Sequence, residues 1–275
     1  MNGNICRKAI LKTAGIAVFA VMFYVGCYDL GIEPSVKPPV ITTFVDIRDG
    51  KTYKKEQIGD QIWMAENLNY AADGSVCYGE GSSSIPDPLN VSGLVPYGDG
   101  YAWATRLLTR SEICDIYGRL YDWNTAMNNE SSSNAIPSGV EGVCPMGWHL
   151  PSNAEWKKLT DYVGEHAGTK LKSHGFPRGQ YEPEGTDLYN FSALPGGYGS
   201  YLFGGVHTDE IHYFGLGSLS GVYSQGHWWT STETPSHSEK VYSRWMGDDR
   251  FDGDKVMELT SDKHTYFYSV RCVHD

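Results

Sequence analysis

An acidic segment near the end of the chain offers the clearest candidate for metal chemistry. Its carboxylates are Asp248, Asp249, Asp252 and Asp254, in a loop that also contains glycine. Oxygen ligands of this kind suit Ca²⁺, but the spacing does not match an EF-hand, because Arg250 occupies a ligand position of that pattern. We therefore expect a solvated acidic turn between two strands, with calcium as the alternative and no other cofactor.

Aromatic side chains among glycines form the second candidate site, because exposed rings can stack on a sugar or a peptide. Tyr198, Tyr201 and Phe203 lie in the stretch YGSYLFGGV, whereas Trp228 and Trp229 are adjacent in GHWWTSTE. Neighbouring side chains of a strand point to opposite faces, so we expect one tryptophan in the core and the other under a loop or at the surface. We take Tyr198, Tyr201, Phe203 and Trp229 as ligand-binding candidates, with core packing as the alternative for each.

Motifs of common enzymes are missing from the sequence. It has nine histidines but no HExxH pairing, and it has no GxSxG nucleophile motif. His207 and His212 are expected on the surface of a loop. A hydrolase with two carboxylates remains open, but nothing selects one pair among 33 acidic residues. We therefore expect no catalytic residues and a binding protein rather than an enzyme.

Four cysteines are expected to form two disulfides in an exported domain. Two of the six cysteines lie in the N-terminal segment and four lie further along the chain. No CxxC or CxxH spacing indicates a zinc site, and disulfides persist in exported domains. Four cysteines allow three pairings. We favour Cys77–Cys114 and Cys144–Cys272, the second of which would tie the middle of the chain to its last strand.

The N-terminal segment is predicted to be a lipoprotein signal peptide. Residues 1–26 contain three basic residues, no acidic residue and the apolar run AGIAVFAVMFYVG, which has the length of a signal-peptide core. The run ends before Cys27 in a pattern that resembles the bacterial lipobox, in which the cysteine is acylated. We expect residues 1–26 to be removed, Cys27 to be lipidated and residues 27–42 to form a tether. An ordinary signal peptide or an uncleaved anchor are the alternatives.

The first part of the domain is predicted to contain a β-meander, a loop and a helix. Residues 43–68 alternate apolar and polar side chains in three short runs, which Asp-Gly and Gly-Asp turns separate. Residues 74–99 are rich in Gly, Ser, Pro and Asn, which predicts a loop. Residues 117–128 are predicted to be helical because most of their apolar side chains share one face.

A second helix and several late strands complete the predicted domain. Ser152 and Glu155 have the spacing of a capping box, and Gly164 stands where a helix C-cap belongs. Runs rich in aromatic and apolar residues then predict strands at residues 191–197, 226–233, 241–246, 255–260 and 266–273. We expect one α+β domain over residues 43–275, with two helices early, an antiparallel sheet late and long loops.

Composition excludes several classes of protein. The chain of 275 residues contains 36 aromatic side chains (8 Trp, 19 Tyr and 9 Phe) and 32 glycines, with only 20% charged residues. That aromatic content is too high for a disordered chain. The net charge of −11 argues against a nucleic-acid partner, which requires a basic face.

The ordered motifs of the domain resemble one family, the Fibrobacter succinogenes major paralogous domain. They are DGKTYKKEQIGDQIWMAENLNY (49–70), YGRLYDWNTAM (117–127), GVCPMGWHLPSNAEWKKLTDYVG (142–164), FSALPGGY (191–198), GHWWTSTE (226–233) and SVRCVHD (269–275). The resemblance covers residues 46–275. It implies an exported protein or lipoprotein of the cell envelope of a Gram-negative bacterium, and the family's role is largely uncharacterised.

A more remote resemblance concerns the fold. HLPSNAEW followed by a Gly-rich loop and WWTST is similar to the C-type-lectin-like fold, which the sulfatase-modifying enzymes share. It implies a long disulfide comparable to Cys144–Cys272. Those enzymes depend on a pair of cysteines near the C-terminus, whereas only Cys272 lies in that region here. The resemblance therefore favours a lectin-like domain that binds its ligand over one with that catalytic activity.

Together these patterns predict a cell-envelope lipoprotein that a lipid anchors to the outer membrane. Its domain would bind a glycan or a protein partner through the loops at residues 174–225 and 247–265. A hydrolase or modifying enzyme acting on polysaccharide is one alternative, and a purely structural surface protein is another.

Overall fold

Strands outnumber helices in the part of the chain that the structure describes. The structure is a computed structural model and describes residues 42–97, 100–174, 176, 185–216, 224–247 and 253–275. Its strands are β1 (Thr42–Val45), β2 (Thr52–Ile58), β3 (Gln61–Met64), β4 (Leu89–Tyr97), β5 (Gly100–Leu108), β6 (Leu120–Tyr121), β7 (Trp148–His149), β8 (Gly196–Phe203), β9 (Val206–Leu216), β10 (Gln225–Thr234), β11 (His237–Gly247), β12 (Met257–Asp262), β13 (Tyr266–Ser269) and β14 (Val273–His274). Its helices are α1 (Arg110–Tyr117), α2 (Trp123–Met127), α3 (Asn153–Val163) and α4 (Ala167–Leu171). Few helices and mostly antiparallel sheets make an α+β domain.

The predicted β-meander is confirmed. β1, β2 and β3 pair antiparallel in sequence order, and the chain turns between β2 and β3 at Gly59, whose φ of 65° suits glycine. The meander belongs to a five-stranded sheet with the order β1-β2-β3-β14-β7. β14 lies between β3 and β7, so the first and last strands of the domain share one sheet.

A seven-stranded sheet carries the late strands. Its order is β12-β11-β10-β13-β8-β9, with β6 paired to β13 and a further pairing between β10 and β8. The pairings of β10 with β13 and with β8 are parallel, and the other pairings are antiparallel. The strands predicted at residues 226–233 and 241–246 correspond to β10 and β11. Those predicted at 255–260 and 266–273 correspond to β12 and to β13 with β14.

Three expectations about the elements were wrong. The segment 74–99 is not entirely loop, because β4 begins at Leu89 and pairs with β5 in a two-stranded ribbon. Of the helix expected over 117–128 only α2 is helical, because α1 ends at Tyr117 before Gly118, whose φ is 79°, and β6 follows it. The described part of the chain has four helices rather than two, since α1 and α4 were not predicted. The strand expected from Phe191 begins only at Gly196.

Helix α3 confirms the capping-box prediction. The Ser152 hydroxyl accepts a hydrogen bond from Glu155 N, and the Glu155 carboxylate accepts one from Ser152 N. The helix ends at Gly164, whose φ is 74°. Trp156, Leu159 and Val163 all point from α3 into the core.

Both tryptophans of β10 are buried, which corrects the expectation that one would lie under a loop or at the surface. Trp228 packs among Trp156 and Phe191 on one side of the strand, and Trp229 packs against Tyr268 on the other side. A central strand covered on both faces buries the side chains of its middle part, which here is residues 226–232. Trp228 Nε1 donates to Asn67 Oδ1 at 2.8 Å, so its one polar atom is paired.

Two disulfides fasten the domain and have the favoured pairing. Cys77–Cys114 links the segment before β4 to α1, and Cys144–Cys272 links the segment before β7 to the residue before β14. The second closes a loop of 128 residues. In the chain-entropy account such a loop contributes about 4–5 kcal/mol to the free energy of unfolding.

Buried arginines act as internal braces rather than as anion sites. Arg271 is fully buried and donates to Asn67 Oδ1 at 2.8 Å and to the carbonyl of Phe191. Arg244 donates to the side-chain oxygen of Asn153 and forms an ion pair with Glu258 at 3.1 Å. These contacts hold the start of α3 and the loop before β8 against the seven-stranded sheet.

Candidate functional site

A cavity of about 530 Å³ lies against the seven-stranded sheet. Side chains of β8, β10, β12 and β13 line it, and they are Tyr198, Gln225, His227, Glu258, Leu259, Thr260, Ser261, Tyr266 and Tyr268. Its volume falls within the range of about 300–1,000 Å³ that is usual for small-ligand sites. The mixture of aromatic rings with hydroxyl, amide, imidazole and carboxylate groups suits a ligand that is both apolar and polar.

Two glycines bring the lining strands close enough to form this pocket. Gly226 of β10 pairs with Gly197 of β8. A Cβ on Gly226 would lie 2.8 Å from the carbonyl oxygen of Leu194, and one on Gly197 would lie 2.4 Å from that of Phe214. Glycine at 226 thus lets β10 approach the segment before β8, and glycine at 197 lets β8 approach β9. The next residues along the paired strands β10 and β8, His227 and Tyr198, are neighbours, with 4.8 Å between their ring centroids.

Tyrosine rings surround the imidazole of His227. Its ring centroid lies 4.7 Å from that of Tyr268, nearly parallel to it, and 4.8 Å from that of Tyr198. Tyr266 and Tyr268 are two residues apart on β13 and therefore point to the same face. Burial raises the pKa of Tyr198, Tyr266 and Tyr268, and the charge of Asp262 further raises that of Tyr266. The three phenols are thus neutral hydrogen-bonding groups at physiological pH.

His227 is a buried and uncharged histidine. Its exposed fraction is 6%, and burial lowers its pKa to about 3. A neutral imidazole offers one donor and one acceptor. Nε2 lies 3.3 Å from Gln225 Oε1, whereas Nδ1 is buried without a hydrogen-bond partner among the described residues. An unpaired buried polar atom costs about 1–3 kcal/mol, and a ligand or a water that paired with it would remove that cost.

The polar groups of the pocket are held in fixed positions. Gln225 Oε1 accepts a hydrogen bond from Trp245 Nε1 at 2.8 Å. The Ser261 hydroxyl lies 3.1 Å from the Tyr268 hydroxyl. Glu258 Oε2 lies 3.1 Å from both Arg244 and Asn153. Side chains positioned in this way need little reorganisation when a ligand binds.

The structure separates the four aromatic candidates. Tyr198 lines the pocket, and Phe203 at the end of β8 is 55% exposed. Tyr201 instead packs on Phe267, with 5.4 Å between ring centroids, as part of a core cluster. Trp229 was wrongly chosen, because it is fully buried and its Nε1 donates to the carbonyl of Tyr121 at 2.7 Å. A ring enclosed in this way has no face to offer to a ligand.

The acidic segment yields only one residue to inspect. Asp248, Asp249 and Asp252 lie outside the described residues. The Asp254 carboxylate lies 2.9 Å from His166 Nδ1. Among the described residues no group of three or more side chains could hold a metal ion. Calcium binding therefore stays a prediction.

Sequence reasoning missed most of the pocket. His227, Gln225, Glu258, Tyr266 and Tyr268 were not among the candidates, because four strands that are distant in sequence bring them together. The alternation of Tyr266 and Tyr268 on one strand was the available signal, since it places two tyrosines on the same face. His207 and His212, expected in a loop, lie on strand β9.

A second buried histidine lies in a different environment. His149 of β7 is 1% exposed and lies between two carboxylates, with Nε2 2.8 Å from Glu155 Oε1 and Nδ1 2.7 Å from Asp275 Oδ1. Burial lowers its pKa, but the hydrogen bonds and charges of Glu155 and Asp275 outweigh burial and raise the pKa above its usual value. Every nitrogen of this ring has a partner, which marks a structural group.

One family of protein domains matches most of the chain. The family model of the Fibrobacter succinogenes major domain matches residues 57–274, so the chain belongs to that family. No curated protein and no solved structure matches the chain. In the described part of the chain, none of the helices is long and apolar enough to span a membrane.

Proposed function

We propose that this protein is a cell-envelope lipoprotein whose domain binds a glycan without catalysing its breakdown. The observation that carries the proposal is the pocket formed by Tyr198, Tyr266, Tyr268 and His227. Sugars combine apolar C–H faces with many hydroxyl groups. Tyrosine rings offer flat apolar surfaces with a polar edge, and the neutral imidazole and Gln225 add donors and acceptors.

A sugar fits this pocket better than a protein surface would. Stable protein interfaces bury about 800 Å² on each partner over a broad patch with an apolar centre. The feature seen here is instead a concave cavity of about 530 Å³, with polar groups distributed among the rings. Concave sites with a few oriented polar groups are typical of small ligands or of single units of a polymer.

Binding rather than hydrolysis is proposed because of the carboxylates. Glycosidases of the common types place two carboxyl groups on either side of the scissile bond. The described residues that line the pocket include one carboxylate, that of Glu258. It forms an ion pair with Arg244 and accepts a hydrogen bond from Asn153. A single engaged carboxylate favours a binding role.

We also propose the finer fold that the sequence motifs imply, a C-type-lectin-like domain. Two observations support it. The long disulfide Cys144–Cys272 ties the segment before α3 to the last strand, and β14 pairs with β3 from the start of the domain. An experimentally determined structure would test this assignment by its topology.

Export and lipid anchoring complete the proposal. The two disulfides support an oxidising location, since such bonds persist outside the cytoplasm. Cys27 lies outside the described residues, and its lipidation rests on the lipobox-like sequence. Labelling cells with radioactive palmitate should mark the protein, and Cys27→Ala should abolish the label. Retention of the label in that variant would contradict the anchor.

A glycan array followed by calorimetric titration tests the binding function. The wild-type full chain should bind neutral glycans, and Tyr266→Ala should weaken binding by about 1 kcal/mol, the scale of one aromatic contact. Tyr162→Ala is the matched control, because Tyr162 is an exposed tyrosine of α3 that does not line the pocket.

Two results would contradict the proposal. One is that the array shows no bound glycan while the protein remains folded by circular dichroism. The other is that Tyr266→Ala and Tyr162→Ala bind as well as the wild type, since the glycan would then bind elsewhere on the chain.

A further inference from the structure

Tyr198 belongs both to the pocket and to a row of aromatic rings on the β8–β9 hairpin. Its ring centroid lies 5.1 Å from that of Phe214, which in turn lies 6.3 Å from that of Phe203. Phe203 lies 4.5 Å from His212. Successive ring planes in this row differ by only 19° to 26°. The row is therefore continuous from the pocket to the end of the hairpin.

The strand register explains why these rings share one face. Tyr198 pairs with Phe214, and Ser200 pairs with His212, two residues further along each strand. Residues two apart on a strand point to the same side. The register shifts after Ser200, and Phe203 joins the same row beyond the shift.

The opposite face of the hairpin serves the core. Tyr213 of β9 is buried in the cluster that also contains Phe267, and Ile211, two residues away on the same face, packs against that cluster. Phe203, by contrast, is 55% exposed, and its ring contacts are with Phe214 and His212 of the row. An exposed phenylalanine in a row that leads to a pocket is better explained by ligand contact than by core packing.

We infer that the pocket and the row form one extended site for a neutral, linear polysaccharide. The inference rests on the proposed glycan function of the pocket and adds the class of glycan. Rings that follow one another at 5.1 to 6.3 Å, about the width of one sugar ring, can contact successive units of a chain. The pocket around Tyr266 holds one unit, and Phe203 contacts a unit further along.

The negative charge of the protein favours a neutral glycan over an acidic one. The chain carries a net charge of −11, Glu258 lines the pocket, and Asp209 and Glu210 lie on β9. This field repels uronic acids and sulfated sugars. A neutral polymer bears no such penalty, and its binding should depend little on salt.

The test is titration of the full chain with neutral oligosaccharides of increasing length, from a disaccharide to a hexasaccharide of the type that the array selects. Affinity should rise with length and then level off. Phe203→Ala should weaken hexasaccharide binding about threefold to tenfold, the scale of one aromatic contact, and leave the disaccharide unchanged. Tyr266→Ala should weaken both.

Val206→Ala is the matched control, because Val206 pairs with Phe203 on the hairpin and is 65% exposed but is not aromatic. It should bind both oligosaccharides as the wild type does. If the disaccharide and the hexasaccharide bind equally well and Phe203→Ala has no effect, the extended site is refuted and the pocket's glycan function stands. If neither oligosaccharide binds, the glycan function itself fails.

Discussion

The domain encloses two histidines in opposite ways. His149 lies between Glu155 and Asp275, and these carboxylates raise its pKa. His227 lies among tyrosine rings, and burial lowers its pKa to about 3. Both side chains are almost fully buried, so burial alone does not determine the charge of either one.

The comparison separates a histidine whose hydrogen bonds are complete from one that we propose to contact a ligand. Around His149 both ring nitrogens are paired, and the partners join β7, α3 and the last residue. Around His227 one nitrogen is unpaired among the described residues, and a cavity lies beside it. Polar groups whose partners are complete stabilise a fold, whereas an unmet hydrogen bond beside a cavity indicates a place for a ligand.

Removal of the Glu155 carboxylate, which lies between α3 and β7, should lower the free energy of unfolding more than any other substitution predicted below. Glu155→Ala leaves His149 Nε2 and the backbone N–H groups of Ser138 and Ser152 without their acceptor. We expect a loss of about 3–5 kcal/mol in the free energy of unfolding, as when one partner of a buried pair is removed. Urea denaturation followed by tryptophan fluorescence measures it.

Glu112→Ala is the matched control for that change. Glu112 occupies the same capping-box position in α1, but its side chain is exposed and its ion pair with Arg106 lies at the surface. Loss of a capping-box contact at so exposed a position is expected to lower the free energy of unfolding much less than Glu155→Ala does. Equal effects of the two substitutions would show that the contacts to His149 and Ser138 add nothing to the cap.

Lowering the pH should destabilise the protein because His227 stays neutral in the folded state. Its folded pKa of about 3 lies below the usual value near 6.5, so below pH 6.5 the unfolded chain binds a proton that the folded chain refuses. His227 therefore has no effect on the pH dependence of stability above pH 6.5. Below that value it lowers the free energy of unfolding by about 1.4 kcal/mol per pH unit, down to about pH 3. His227→Phe keeps an aromatic ring beside Tyr268 and removes the titrating group.

The variant should therefore lose less stability than the wild type between pH 6.5 and 4. Denaturant titrations at several pH values test this by the difference in slope. Parallel pH profiles for the wild type and His227→Phe would mean that His227 is not held neutral by burial.

Of the predicted substitutions, Asp275→Asn should change the free energy of unfolding least. Asp275 is more than half exposed, so its ion pair with His149 is partly screened and contributes about 1 kcal/mol or less. A raised folded pKa stabilises the protein below the usual pKa of histidine, and that gain is lost as the pH rises through the folded value. The substitution should lower the pKa of His149 in an NMR titration and reduce stability at pH 6 more than at pH 9. An unchanged pKa would show that Glu155 alone sets it.

Local signals in the sequence predicted the local parts of the fold. The capping box at Ser152 and Glu155, the β-meander and the two late strands β10 and β11 depend on neighbouring residues and were predicted correctly. The same kind of signal was overlooked at Thr109 and Glu112, which form a second capping box at the start of α1. The helical pattern of apolar residues over 117–128 failed because Gly118 ends α1 and the next residues, Leu120 and Tyr121, pair as β6 with β13.

The candidate site was less accessible to sequence reasoning because it is made by packing. Tyr198 was predicted from its place among glycines and lines the cavity, but its neighbours there, His227, Glu258 and Tyr266, come from three other strands. Trp229 has the same kind of sequence context as a binding aromatic, yet the layers on both sides of β10 bury it. Burial of a central strand follows from the sheet order, which no local pattern specifies.

The sheet order also sets a condition on how the chain folds. β14 follows the other described strands along the chain, yet it lies between β3 and β7, with Val273 opposite both Trp63 and His149. Until Val273 and His274 of β14 have paired, β3 and β7 have no common neighbour and one edge of β3 is unpaired. Contacts between such distant segments form slowly because a long loop must close first. Chains in which β14 has not yet paired should thus be the aggregation-prone species of this protein, and the docking of Val273 and His274 should end that exposure.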